Sequence, residues 1–356
     1  MHMIKLLIVD DSALMRRQLS SFFTEEGDFE IHFARNGREA VEENINFRPD
    51  VVTLDINMPE MDGLSALSLI MAERSVPVVM VSSLTEKGAL ATFEALALGA
   101  VDYVAKPSGT ISLSIGDIRD ELVRKVRMAA KAHLKAPSRL TTPVRQPIAR
   151  KTASVESAPI IRRGVANKGI VIIGVSTGGP RTLEDILPLF PASFPYPVLV
   201  AQHMPASFTL PFANRMNDLC ELQVVEASRP TSIEPGFVYI GKGGADMVVA
   251  QRGGKPTIIP KPENREFLWH PSVELLGRSV LENYDATHIV AIMLTGMGYD
   301  GSDAFAEIKK RGGRTIAESE SSCVVFGMPA ELISKGGASV VLPADRITKQ
   351  VLAWLK

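Results

Sequence analysis

The chain has 356 residues, of which 46% are hydrophobic and 22% are charged, and its formal net charge is -1 at pH 7. This length favours two domains over one large core, and the near-neutral charge gives no support for binding a nucleic acid or a membrane surface. Because no apolar run approaches the roughly 20 residues that span a bilayer, and the two cysteines form no CxxC pair, we expect a cytoplasmic protein that is not membrane-embedded. We also expect a monomer, although no sequence feature determines the oligomeric state.

Residues 1–130 alternate short apolar strands with amphipathic helical segments. The predicted strands that end in polar residues are KLLIVDD, PDVVTLD, VPVVMVS and VDYVAK. Such alternation is typical of a parallel sheet with helices on both faces. We therefore predict a doubly wound α/β domain over this range.

Three carboxylates, a hydroxyl and an ammonium group follow these strands. Asp10 and Asp11 end the first strand, Asp55 the second, and Ser82 and Lys106 the last two. Open α/β sheets carry their sites at the shared carboxyl edge, so these side chains should converge. Clustered carboxylates suit Mg²⁺, and Asp55 could then accept a phosphoryl group, although each residue taken singly could be a helix cap or a loop residue.

The words LLIVDDS, LDINMPEMDGL, VMVSS and DYVAKP, over residues 4 to about 125, resemble the receiver domain of two-component response regulators. The resemblance implies a flavodoxin-like fold, phosphorylation of Asp55 by a histidine kinase, and contacts of Ser82 and Lys106 with the phosphate. The implied Mg²⁺ ligands are Asp10, Asp11, Asp55 and the backbone carbonyl of Asn57. Tyr103 would be the switch aromatic, although a half-buried strand tyrosine explains it equally well.

Residues 131–168 lose the strand–helix alternation. They are rich in Pro, Ser, Thr and Ala and carry nine Lys or Arg against one acid, Glu156. This composition predicts a flexible basic linker, and docking of its charge on an acidic partner stays open.

The alternation resumes at residue 169 and continues to residue 356. Strand candidates are GIVIIGVS, PVLVAQH, GFVYIG, THIVAIMLTG and ASVVLP. We predict a second doubly wound parallel-sheet domain, of Rossmann-like type, that shares no motif with the first.

Ser176 lies in the segment Gly174-Val175-Ser176-Thr177-Gly178, which fits G-x-S-x-G between a strand and a helix. A serine on such a sharp turn can be presented as a nucleophile, and free N–H groups at the helix start can hold an oxyanion. A glycine-rich turn of this kind could also cradle a phosphate, although no GK[ST] follows it.

A serine nucleophile needs a base, and His203 is the best placed of six histidines. It follows the strand PVLVA at the edge expected for Ser176, whereas His270 and His288 have positions that favour structural roles. Asp300 follows a later strand and a glycine-rich turn, so it is the candidate for orienting the imidazole. Taken alone, His203 could equally be a capped or core histidine.

The words VSTGGP, AQHMP, LTGMGYDG and SCVVFGMPA resemble the catalytic domain of the chemotaxis protein-glutamate methylesterase family, CheB, from residue 169 to the C-terminus. Asn57 is a local departure, because members of this family often carry Glu there. The resemblance implies a serine hydrolase in which Ser176 attacks glutamate methyl esters of methylated chemoreceptors, with His203 as base and Asp300 as orienting carboxylate.

The same resemblance implies a chemotaxis histidine kinase as the phosphodonor, and further properties of the second domain. Backbone N–H groups near Thr177 and Met297 would hold the oxyanion, receptor glutamines would also be deamidated, and no cofactor would be needed there.

The tethered layout suggests that the unphosphorylated receiver covers the active site. A response regulator whose second half only binds DNA or another partner is the rival, and a nucleotide-phosphate site at STGGP is a third interpretation.

Overall fold

The computed structural model of the protein describes residues 3–83, 85–106, 115–132 and 169–355. These residues form two parallel-sheet α/β regions, as the sequence predicted. The predicted linker lies outside the described residues from residue 133 onward, so its boundaries stay a prediction. No helix among the described residues is long and apolar enough to cross a membrane.

The first region alternates five strands with five helices. Its elements are β1 (Ile4–Val9), α1 (Ala13–Glu26), β2 (Phe29–Ala34), α2 (Gly37–Asn46), β3 (Val51–Asp55), α3 (Gly63–Glu73), β4 (Val78–Ser82), α4 (Glu86–Leu98), β5 (Asp102–Ala105) and α5 (Ile115–Ala129). Side-chain caps help to define the helix starts: Asp62, for example, accepts a hydrogen bond from the backbone N–H of Ser65 at the start of α3.

The strand order of this sheet is β2-β1-β3-β4-β5, with every pair parallel. Its central strands are apolar because helices cover both faces. The register pairs Val9 with Leu54, and this pairing brings the next residues, Asp10 and Asp55, side by side at the carboxyl edge. The topology therefore builds the acidic cluster that the sequence predicted.

The second region contains ten strands and six helices. Its elements are β6 (Ile170–Val175), α6 (Gly179–Ile186), β7 (Val198–Gln202), α7 (Ala206–Leu219), β8 (Gln223–Ala227), β9 (Thr231–Ser232), β10 (Phe237–Gly241), β11 (Ala245–Arg252), β12 (Lys255–Pro262), α8 (Val273–Asn283), β13 (Ile289–Met293), α9 (Ser302–Lys310), β14 (Arg314–Glu318), α10 (Met328–Ser334), β15 (Val340–Leu342) and α11 (Ala344–Trp354). Two short 3-10 turns, Leu187–Leu189 and Ala286–His288, complete it.

Seven strands form one parallel sheet in the order β15-β14-β13-β6-β7-β10-β8. The register pairs Val175 with Gln202 and Gly174 with Met293, so β6, β7 and β13 end almost level. Strands β11, β12 and β9 form a separate antiparallel sheet, which the search for strand–helix alternation did not predict. Alternation identifies parallel units, whereas this hairpin is connected directly through Gly253 and Gly254.

The two regions pack against each other through aromatic side chains. The Phe93 ring on α4 lies 6.0 Å from that of Phe208 and 5.4 Å from that of Phe212, both on α7. Tyr103 on β5 stacks on Phe208 with ring centroids 4.7 Å apart. One cluster of buried apolar residues therefore continues from the first region into the second.

Candidate active site and phosphoacceptor site

The acidic cluster of the first region is organised around Lys106. Its Nζ lies 2.7 Å from Oδ2 of Asp55 and 2.9 Å from Oδ2 of Asp10, and both carboxylates are buried. Burial raises the pKa of Asp55, with the charge of Asp10 adding to it, and the hydrogen bond from Lys106 offsets only part of this. For Lys106, burial alone would lower the pKa, but the two carboxylates raise it overall.

The donor set of this cluster fits a divalent cation. Carboxylate oxygens of Asp10, Asp11 and Asp55 lie within 4.8 Å of one another. Three acids face one lysine, so the cluster carries excess negative charge, which a hard cation with oxygen ligands would offset. The sequence prediction of Mg²⁺ at this edge is therefore compatible with the side-chain geometry.

The other predicted phosphate-site residues occupy the same edge or follow it. Ser82 is buried at the end of β4 and donates a hydrogen bond to the carbonyl of Gly88 at 3.3 Å. Asn57 is exposed two residues beyond Asp55, and its backbone carbonyl stays a predicted Mg²⁺ ligand. Tyr103 is fully packed against the second region and is not half-buried, and burial raises its pKa well above the usual value.

Ser176 follows β6 on a tight turn that leads into α6. Its N–H donates to the carbonyl of Thr295, and its own carbonyl accepts from the N–H of Gly179. Gly178, the residue before the helix, has φ 77° and so occupies the left-handed region that favours glycine. The glycine-rich word STGGP therefore builds the turn that presents the serine side chain at the sheet edge.

His203 and Asp300 meet at the same edge. Nε2 of His203 lies 2.9 Å from Oδ2 of Asp300, and both side chains are almost completely buried. Because the carboxylate only accepts, the proton on the neutral ring is assigned to Nε2, which leaves Nδ1 as the basic nitrogen. Nδ1 is buried and has no hydrogen-bond partner among the described residues, so no bond to Ser176 is formed in this state.

The Asp300 side chain lies at the N-terminus of α8, although the residue itself precedes α9 in the chain. It accepts hydrogen bonds from the backbone N–H groups of Val273 and Glu274 and from the hydroxyl of Ser272. Burial alone would raise its pKa, but His203 and these N–H groups outweigh burial and lower it. The carboxylate is thereby held ionised and fixed in direction.

The two predicted oxyanion donors lie in glycine-rich turns at the ends of β6 and β13. Neither the N–H of Thr177 nor that of Met297 donates a hydrogen bond to another described residue. Donors that are left free beside a candidate nucleophile are the arrangement that an oxyanion site requires. Thr177 and Met297 keep the roles that the sequence suggested for them as a prediction.

Comparison with known proteins assigns a family to each of the two regions. A family model described as CheB methylesterase matches residues 171–351, and one described as response regulator receiver domain matches residues 6–114. The chain belongs to the CheB methylesterase family. Both resemblances seen in the sequence, and the two-domain α/β fold class, are thereby confirmed.

Relatives of this CheB family member extend over the full chain. Protein-glutamate methylesterase/protein-glutamine glutaminase 3 of Rhodospirillum rubrum is 54% identical over 99% of this chain and 96% of that protein. The similarly named protein of Archaeoglobus fulgidus is 42% identical over 99% of this chain and 98% of that protein. The crystal structure of the Thermotoga maritima CheB methylesterase catalytic domain, with 39% identity, covers 53% of this chain and all of that domain with a TM-score of 0.51.

Trp269 of this CheB chain lies against His203, a position that the sequence did not predict. Its ring stacks on that of His203, with centroids 5.7 Å apart and planes at 4°, and Tyr299 packs edge-on against it. The neighbouring His270 binds Asp246 at 2.9 Å, which agrees with the structural role expected for it. Trp269 follows no strand, so its position could not be inferred from strand ends.

The receiver region of this CheB chain contacts the turn that carries Ser176. Oδ2 of Asp102, on β5, accepts a hydrogen bond from the hydroxyl of Thr177 at 2.7 Å, and both residues are buried. Val324, in the loop after β14, packs against the apolar cluster of the receiver. The receiver therefore lies directly beside Ser176.

Proposed function

We propose that this protein hydrolyses glutamate methyl esters on chemoreceptors, deamidates receptor glutamines, and serves sensory adaptation in chemotaxis under the control of phosphorylation at Asp55. The observation that carries the hydrolase assignment is the bond from His203 to Asp300 at the sheet edge where Ser176 is presented. A buried imidazole with a carboxylate on one nitrogen and its other nitrogen unengaged is arranged as a general base.

Acylation begins when Oγ of Ser176 attacks the ester carbonyl carbon. Its proton moves to Nδ1 of His203, and the resulting imidazolium is stabilised by the carboxylate of Asp300. The tetrahedral oxyanion accepts hydrogen bonds from the N–H groups of Thr177 and Met297. When this intermediate collapses, the ester C–O bond breaks, the leaving oxygen takes the proton from His203, and methanol departs.

Deacylation repeats these steps with water as the nucleophile. His203 takes one proton from water, the glutamyl ester with Ser176 breaks, and the serine oxygen recovers the proton as glutamate leaves. With a glutamine substrate the only difference is that ammonia replaces methanol as the first leaving group. Neither route calls for a cofactor in this domain.

The test is methanol release from membranes that contain methylated receptors. Wild type should release methanol, Ser176→Ala should lose the activity, and Ser334→Ala, an exposed serine on α10, should keep it. Full activity in Ser176→Ala would remove the serine mechanism. Absence of activity in wild type as well, with the phosphodonor present, would favour a protein that only binds its partners.

For the receiver we propose that a histidine kinase donates the phosphoryl group to Asp55. Asp10, Asp11 and Asp55, with the carbonyl of Asn57, would hold Mg²⁺. When bound, this ion neutralises charge on the transferred phosphoryl group. Lys106 would move from the free carboxylates to the phosphate, and Ser82 would turn from Gly88 to contact it.

Phosphorylation would then act through β5. Lys106 directly follows β5, and the same strand carries Asp102 and Tyr103, which contact Thr177 and Phe208. In the unphosphorylated state these contacts hold the receiver against the active-site edge and limit substrate entry. A shift of Lys106 toward the phosphate biases this packed arrangement toward an open one.

A further inference from the structure

Gln202 links the nucleophile turn to the general base. It is the last residue of β7 and is almost fully buried. Its Nε2 donates one hydrogen bond to the carbonyl of Ser176 and another to the carbonyl of His203, each 3.0 Å long. One side-chain amide thus binds the backbone of both the proposed nucleophile and the proposed base.

The orientation of this amide follows from its neighbours. Both atoms within hydrogen-bond distance are backbone carbonyl oxygens, which only accept, so the atom that faces them must be the nitrogen. Oε1 then faces Gly179, where a Cβ would lie 2.0 Å from it. Gly179 does not adopt a left-handed φ, so its missing side chain serves to make room for Gln202 and for Val175, whose Cγ2 would lie 2.6 Å from a Cβ.

This anchoring determines where the Thr177 N–H points. The carbonyl of Ser176 and the N–H of Thr177 belong to one planar trans peptide unit, so they point in opposite directions. With the carbonyl held by Gln202 and by the N–H of Gly179, the Thr177 N–H is directed away from the turn. It is the same N–H that donates to no other described residue.

The base is fixed from the same side chain. The N–H of His203 donates to the carbonyl of Val175 at 3.1 Å, and its carbonyl accepts from Gln202. Both polar groups of its backbone are therefore engaged at the end of the sheet. The backbone that carries the imidazole is therefore fixed relative to the turn of Ser176.

From this geometry we propose that Gln202 is a positioning residue, which aligns the Thr177 oxyanion N–H and the His203 base with each other through its two hydrogen bonds. The inference rests on the proposed serine mechanism and extends it. Gln202 does not touch the reacting atoms. Its effect should therefore appear in the rate of the chemical steps and not in the binding of substrate.

The size of the effect follows from what remains after its removal. Loss of a whole oxyanion donor slows a serine protease by about 100- to 1000-fold. Because the Gly179 N–H still holds the Ser176 carbonyl, loss of Gln202 should misalign the donor without removing it. We expect kcat to fall by about 10- to 100-fold, with KM within about threefold of wild type.

The first variant is Gln202→Leu in the full-length chain, which is similar in size and has no donor. Methanol release is measured with and without a small phosphodonor plus Mg²⁺, and each variant is compared with wild type under the same condition. The rate at which a fluorophosphonate probe labels Ser176 should fall in parallel with kcat. The control is Thr315→Val, which removes the buried hydrogen bonds of the Thr315 hydroxyl with Gly337 and Ser339 at the amino edge of the same sheet and should leave kcat unchanged.

The second variant, Gln202→Glu, gives a readout that loss of packing would not give. Protonated, the introduced carboxyl can donate to one of the two carbonyls; ionised, it offers no donor and repels both. Activity relative to wild type should therefore fall as pH rises, whereas the ratio for Gln202→Leu should be independent of pH. This variant also supplies the test if the leucine variant fails to fold.

The outcomes separate cleanly. A fall in kcat and in probe labelling at nearly constant KM, with a pH-dependent loss in the glutamate variant, supports the positioning role. A folded leucine variant with wild-type kcat, or one with only KM raised, overturns it. If Ser176→Ala stays active, the proposed function fails whatever Gln202 does; if Ser176→Ala is inactive and Gln202→Leu is fully active, only the present inference fails.

Discussion

The contact between α4 and α7 makes a quantitative prediction about control by the receiver. Phe93 on α4 is 1% exposed, and its ring contacts Phe208 and Phe212 across the interface. Phe93→Ala removes both aromatic contacts from the packed state. In an open state the ring would have neither partner, so truncation destabilises mainly the packed arrangement.

The expected magnitude follows from the two ring pairs. Each aromatic pair contributes about 0.5–1.5 kcal/mol beyond its area burial, so Phe93→Ala should weaken the packed state by about 1–3 kcal/mol. A difference of that size shifts the balance between packed and open forms by about 5- to 150-fold. Basal activity of the unphosphorylated chain should rise by up to this factor, limited by the activity of the fully open form.

The assay is methanol release from methylated receptor membranes by full-length protein, with and without a phosphodonor and Mg²⁺. Phe93→Ala should raise the basal rate and reduce the further gain on phosphorylation, because both act on the same equilibrium. Leu90→Ala on the same helix is the matched control, since Leu90 is 56% exposed and should change neither rate. Thermal unfolding of each variant establishes that the chain is folded.

One result would refute the reasoning. If a folded Phe93→Ala chain had the wild-type basal rate and the wild-type response to the phosphodonor, the α4–α7 contact would not restrain the enzyme. A similar rise in Leu90→Ala would instead show that the effect does not depend on the interface.

Three further predictions concern single residues of the two sites. Asp300→Asn should lower kcat for methanol release by about 10⁴-fold, because a neutral amide in place of the carboxylate favours the wrong imidazole tautomer. Asp55→Asn should raise the urea midpoint of the receiver at pH 7. Burial raises the pKa of Asp55 above its unfolded value of about 3.9, so ionisation of this carboxyl above that pH costs free energy of folding, and the asparagine avoids the cost. The gain in urea midpoint should therefore shrink as the pH falls toward the unfolded pKa. Trp269→Ala should lower kcat about 2- to 10-fold through loss of the stack on His203, while Trp269→Phe should retain most of the rate.

Each of these has an outcome that contradicts it. An Asp300→Asn chain that keeps the wild-type kcat would show that the carboxylate does not set the imidazole tautomer. An Asp55→Asn receiver that is less stable at pH 7 would show that the bond with Lys106 outweighs burial. A separate prediction concerns the metal. Mg²⁺ at 100 times its Kd for the wild-type receiver should raise the free energy of unfolding of that receiver by about 2.7 kcal/mol, and that of Asp55→Asn by less. Equal loss in both Trp269 variants would show that an aromatic face is not what His203 requires.

Much of both sites could be predicted because their residues follow strands of parallel sheets. Asp10, Asp55 and Lys106 are far apart in sequence, but strand ends in a parallel sheet share one edge, so their convergence follows from topology alone. The meeting of His203 with Asp300 was inferred in the same way. Trp269 and the antiparallel β11–β12 pair were not predicted, because neither depends on a strand–helix alternation.

By itself, the sequence determined the two α/β regions, the acidic cluster and the glycine turn of Ser176, since hydrophobic periodicity and turn chemistry act locally. Only the tertiary structure decided how Gln202 divides its amide between two carbonyls, and that Asp102 binds Thr177 across the interface. Such hydrogen bonds join residues whose separation depends on how sheets and helices pack. No local pattern records those distances, which is why the contact between the receiver and the Ser176 turn appears only in the folded chain.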